Sequence, residues 1–171
     1  MKNEFINILK NSIGDLKSHD KSNIYLHEPD VDKNDWLTVK ECLQRNFVST
    51  AGNYVNEFED RLKKYTKSKF VIAIVNGTSS LHISLAILGI KRNDEVLMPS
   101  LNFIASANAV EYCGAIPHFL DIERDNLGID PVKLEEYLKN IVIFKKGKPI
   151  NKKTNRRISC LILLHLFGHP S

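Results

Sequence analysis

From Phe70 onward the chain alternates short apolar runs with stretches of helical length, and this pattern limits the fold more than any other feature. FVIAIV at 70–75, EVLM at 95–98, IPHFL at 116–120 and ISCLILLHLF at 158–167 are the runs. Their hydrophobicity is continuous, where a strand with one wet face would alternate, so strands covered on both faces are expected. Segments 79–88 and 102–112 have helical length. Repeated strand and helix in this order predict an α/β fold with a mostly parallel sheet and flanking helices. Gly89 and Gly114 stand where helices would end, and Asp130-Pro131 supplies a cap and first helical residue for VKLEEYL.

Before Phe70 the periodicity is purely helical. Phe5, Leu9, Ile13 and Leu16, with Ile6 beside them, trace one face of an amphipathic lead helix that Gly14 weakens. Asn34 and Asp35 are placed to cap a second helix carrying Trp36, Val39 and Leu43, and Tyr54, Phe58, Leu62 and Tyr65 mark a third. The expected division is a helical and loop region over 1–68 and a sheet region over 69–171.

Composition narrows the class. In 171 residues, 43% hydrophobic and 26% charged is ordinary for a globular protein and excludes a disordered chain or a disulfide scaffold. Cys42, Cys113 and Cys160 have neither C-x-x-C nor Cys/His ligand spacing, so no metal site is predicted and the thiols read as small apolar residues. No apolar stretch approaches the ~20 residues of a membrane span, and the amino terminus lacks the apolar core of a leader, which predicts a cytoplasmic protein with no membrane partner. The net charge of +4 is local: Lys145, Lys146, Lys148, Lys152, Lys153, Arg156 and Arg157 follow one another without an acid, and the remainder carries −3. A nucleic-acid partner is therefore not expected. Gly147, Pro149 and Asn155 make this segment a solvated hairpin before the last strand, with steering of a diphosphate as a secondary role.

The turn after FVIAIV is the most informative. Asn76 and Gly77 lead into a helix beginning near Thr78, whose first amides would face a bound anion; Gly77 permits close approach and positive φ, and Thr78 and Ser79 add hydroxyls. An ordinary turn capped by Thr78 reads the same residues. Neither a Walker motif nor G-x-G-x-x-G is present. His82, His118, His165 and His169 lack a paired carboxylate or second ligand in the sequence pattern and read as structural.

The run NGTSSLHISLAILGIKRNDEVLMPSLNFIASANAVEYCGAIPHFLDIERDNLGIDPVKLEEYL resembles the DegT/DnrJ/StrS family of sugar aminotransferases. The likeness extends through LHEPDVDKNDWLTVKECLQRNFVSTAGNYVNEFEDRLKKYT and ISCLILLHLFGHP, from about Tyr25 to the end. LHEP, STAG, NKKTNRRI and FGHP most resemble the LegC-like branch, whose members aminate nucleotide-linked 4-keto-6-deoxy-N-acetylhexosamines toward legionaminic-acid-like or bacillosamine-like sugars. The resemblance implies the amino-terminal portion of the large domain of a fold-type I transferase dependent on pyridoxal phosphate (PLP). It also implies a nucleotide sugar and glutamate as substrates, and a homodimer. Carried over residue by residue, it implies that Gly77, Thr78 and Ser79 hold the PLP phosphate and that Phe103 stacks on the pyridine ring, with Ser106 and Asn108 close by. Ser49, Thr50, Ala51 and Gly52 match a loop that touches the sugar nucleotide. Phe103 reads equally as a core residue, and the 49–52 loop as a helix-linking turn.

PLP chemistry needs a lysine for the covalent link and an acid at the pyridine nitrogen. In the family both follow the FGHP segment. The lysines present lie in charged stretches, so no catalytic residue is assigned, and a chain ending at Ser171 is expected to be inactive alone. The competing readings are a non-catalytic remnant binding a sugar nucleotide or partner enzyme, a PLP-dependent sugar dehydratase, and a phosphate-binding α/β module unrelated to PLP.

Overall fold

A computed structural model describes residues 4, 6, 7, 29–46, 48, 49 and 52–171. The chain divides into two compact units, Met1–Lys69 and Phe70–Ser171. The predicted lead helix lies outside the described residues except at Ile6 and Asn7.

In the first unit, α1 (Lys33–Gln44) is capped by Asp32, a correction to the expected Asn34 and Asp35. The Asp32 carboxylate accepts the amides of Asn34 and Asp35 at 2.7 and 2.9 Å, and the Asp35 carboxylate accepts the Asp32 amide at 3.0 Å. This reciprocal box requires acceptors three residues apart, which Asp32 and Asp35 are. The second helix, α2 (Asn53–Thr66), starts from Gly52, which has no side chain to cap it. The Tyr54 hydroxyl donates to Glu41 at 2.5 Å and ties α2 to α1. The apolar stripes of both helices are largely exposed, at Trp36, Val39, Leu43, Phe58 and Tyr65.

The second unit opens with a departure from expectation: residues 70–75 form no strand. Continuous hydrophobicity signals a covered segment, but a strand also needs a neighbour. Both edges of the central strand, β1 (Glu95–Pro99), are occupied by β2 (Ile116–Leu120) and β5 (Ile158–Leu161) in the order β2-β1-β5. Both pairings are parallel, as predicted. The last apolar run contributes only its first four residues to the sheet.

Around this sheet stand α3 (Gly77–Ile87), α4 (Ile104–Tyr112) and α5 (Pro131–Ile141). Successive residues of β1 point to opposite faces. Val96 and Met98 pack with Leu85, Ala107 and Val110 of α3 and α4, while Leu97 packs with Ile158, Leu120 and Ile141, against Leu134 and Leu138 of α5. Every residue of β1 is buried, which explains why its sequence does not alternate. Gly114 ends α4 at φ 69° as a helix-terminating glycine should, and Asp130 caps α5 by accepting the Val132 and Lys133 amides, with Pro131 as first helical residue.

Between α5 and β5, β3 (Val142–Lys145) and β4 (Lys148–Asn151) form an antiparallel hairpin. Lys146 and Gly147, at φ 50° and 74°, make the two-residue turn whose twist suits paired strands. The hairpin base is fixed by Glu95, 3% exposed in its side chain. Thr154 donates to one carboxylate oxygen, and Asn151 Nδ2 and His118 Nδ1 approach the other at 2.8 and 2.9 Å. His118 Nε2 meets the Tyr137 hydroxyl of α5 at 2.9 Å. Burial alone raises the Glu95 pKa, but the hydrogen bonds from Thr154, Asn151 and His118 and the charge of His118 together hold it below its ordinary value of 4.5.

Two stability outcomes follow from these environments. Met98→Ala, at a side chain with no exposure, is expected to cost about 2–5 kcal/mol in a urea titration, against under about 0.5 kcal/mol for Ile87→Ala, where the side chain is 80% exposed. Glu95→Ala strands three donors, of which that of Asn151 is buried, and is expected to cost roughly 1–3 kcal/mol at pH 7. Folding lowers the Glu95 pKa, so its contribution is complete above the unfolded value and disappears as pH falls through the folded one. The gap between parent and Glu95→Ala in urea titrations therefore closes below pH 4.5; a gap that persists unchanged into strong acid would mean that the carboxylate charge is irrelevant.

Candidate functional site

Chain direction determines which polar groups share an end of the sheet. A short connection carries the chain from α3 to the start of β1, and α4 begins just beyond the end of β1. The first turns of α3 and α4 therefore both lie at the carboxyl ends of the strands, where open α/β sheets take ligands.

At α3 the helix starts at Gly77, one residue earlier than predicted, and the cap is Asn76, not Thr78. Asn76 is extended, and its side-chain oxygen accepts the Ser79 amide at 2.8 Å. The Ser80 amide reaches the Asn76 carbonyl at 3.1 Å. Helix geometry leaves the Gly77 and Thr78 amides without intrahelical acceptors. The hydroxyls of Thr78, Ser79 and Ser80 have no hydrogen-bond partner among the described residues. Gly77 does not have the positive φ anticipated for it, and a Cβ there would meet nothing within 4 Å. Its bare backbone leaves open space over the helix end, on the side where the dipole favours an anion.

Phe103 occupies the N-cap position of α4 and is 73% exposed, so it is no core residue. Ser106, three residues on, is buried, and its amide bonds the Phe103 carbonyl at 3.0 Å. Asn108 is half-buried, and its amide group is unpartnered among the described residues. The Asn102 side chain donates to the Pro99 carbonyl, fixing the turn that presents Phe103. His82 of α3 lies edge-on to Tyr112 of α4, with centroids 5.6 Å apart, which locks the two helices together.

Ser49 and Gly52 belong to the first unit, where they line a cleft of about 90 Å³ with Cys42, Arg45 and the first residues of α2. Thr50 and Ala51 lie outside the described residues. A different cleft, of about 320 Å³, opens at the end of β2 between Phe119, Asp121, Lys133 and Tyr137. Its lysine donates to Asp121 at 2.9 Å, and that hydrogen bond and charge raise the Lys133 pKa. An ammonium stabilised in this way is the opposite of a nucleophilic amine. No group of three or more potential metal ligands occurs among the described residues, and no described helix is long and apolar enough to cross a membrane.

The cluster that sequence reasoning missed is Glu95, His118, Asn151, Thr154 and Tyr137. It resembles a catalytic relay in composition but sits at the amino end of β1, away from the free donors of α3 and α4, and its polar atoms are spent on each other.

Residues 29–171 match the model of the DegT/DnrJ/EryC1/StrS aminotransferase family. Over 145 residues the chain is 30% identical to the GDP-perosamine synthase of Vibrio cholerae, covering 85% of this chain and 35% of that protein. Over 116 residues it is 40% identical to the GDP-perosamine synthase of Caulobacter vibrioides, covering 68% and 31%. The aminotransferase from Psychrobacter cryohalolentis superimposes with a TM-score of 0.67 at 28% identity, over 86% of this chain and 33% of that one. A DegT DnrJ EryC1 StrS aminotransferase from Brucella abortus does so at 0.66, also at 28% identity, over 79% and 34%. The chain thus spans about a third of the length of the curated relatives it matches. With a matching family model over most of its length and a parallel sheet that superimposes on solved members, the chain belongs to the DegT/DnrJ/EryC1/StrS aminotransferase family.

Proposed function

We propose that this chain forms the phosphate-holding part of the PLP site in an aminotransferase acting on a nucleotide-linked 4-keto sugar. The observation that carries this reading is the first turn of α3, where two amides and three hydroxyls stand without a partner at the carboxyl end of the sheet. Such a turn fits a phosphate dianion: backbone donors give direction, hydroxyls add charge-assisted hydrogen bonds, and the helix dipole adds attraction. Gly77 and Thr78 offer their amides, Thr78 and Ser79 their hydroxyls. Phe103 presents an exposed ring at the same end, suited to stacking on a pyridine. Ser106 and Asn108 lie on the turns of α4 that follow and supply polar groups beside that ring. When bound, PLP provides the electron sink for moving an amino group.

In this reading glutamate is the donor and a nucleotide sugar the acceptor, the latter supported by the GDP-linked product named for the perosamine synthases. The choice of a 4-keto-6-deoxy-N-acetylhexosamine rests on the LHEP, STAG, NKKTNRRI and FGHP segments. Ser49 and Gly52, beside the uncapped start of α2, are the residues of the sugar-nucleotide loop in this reading. Homodimerisation of the whole polypeptide belongs to the same proposal.

Titration of the chain with PLP tests the phosphate cradle directly. Thr78→Ala with Ser79→Ala is expected to weaken PLP binding at least about tenfold, the scale of losing hydrogen bonds to a charged group, while leaving binding of unphosphorylated pyridoxal unchanged. Phe103→Ala is expected to weaken both ligands and Phe103→Tyr to restore them. Equal affinity of the parent chain for PLP and pyridoxal would remove the phosphate role from α3.

A further inference from the structure

We draw no further inference here: the strongest candidate, the apolar cleft of about 430 Å³ between α5 and the β3–β4 hairpin, lined by Leu97, Leu138, Val142, Phe144, Pro149 and Ile158, is an unpartnered face, and nothing in the structure shows what covers it.

Discussion

The carboxylate of Glu95 fixes where four separate pieces of chain meet. Its amide donates to the Arg157 carbonyl at 2.7 Å, its carbonyl accepts the Ser159 hydroxyl at 3.2 Å, and its side chain receives Thr154, Asn151 and His118. The pairing of β1 with β5 shifts register at this point, between Glu95 and Val96. An extra residue in a parallel ladder leaves polar backbone to satisfy, and the Ser159 hydroxyl closes that gap. Because an ionised carboxylate only accepts hydrogen bonds, the His118 Nδ1 facing it donates, while Nε2 meets the Tyr137 hydroxyl. One acid thereby orients the histidine and, through it, the seat of α5. Burial of so polar a group is tolerable because both carboxylate oxygens accept hydrogen bonds, three in all.

This concentration of polar bonds at the amino end of β1 has a counterpart at the other end. Around the first turns of α3 and α4 the donors are left open, and the core between the two ends is apolar on both faces. A rigid central strand with its polar groups consumed below and its helix starts unfilled above is a physical division of labour. The lower end specifies register, and the upper end presents groups whose orientation the packed helices fix. The His82–Tyr112 edge contact contributes to that fixation by holding α3 against α4.

Features decided within a few residues were legible in the sequence. IPHFL forms β2 over the residues expected, Gly89 and Gly114 end helices with positive φ, and Asp130-Pro131 opens α5, because cap and breaker chemistry acts locally. The cap of α1 was misplaced by two residues since Asn34 and Asp35 are themselves good caps and only the reciprocal bond with Asp32 decides between them. Features that need a distant partner were not legible. The run 70–75 has strand composition, but strand formation depends on a neighbour that local sequence does not name. Nothing local to Glu95 names its partners, which lie 23, 56 and 59 residues away. For Phe103, composition favoured the core, and its exposure follows from being the N-cap of a helix whose buried face begins at Ser106.

The basic hairpin and the buried acid are also one electrostatic system. Asn151 and Thr154, which hold Glu95, flank Lys152 and Lys153, and Arg157 reaches toward Asp94 next to the same acid. Repulsion among seven cations pushes this loop open, while the carboxylate at its base binds its two ends to β1. Charge on Glu95 attracts every one of those cations, and it does so through protein, where screening is weaker than in water. Protonating Glu95 would remove the base attraction and leave the repulsion intact, so the loop would loosen before the sheet core does. The strand that carries Phe144 and Lys145 is thus presented on a stiff footing only while that single buried acid stays ionised.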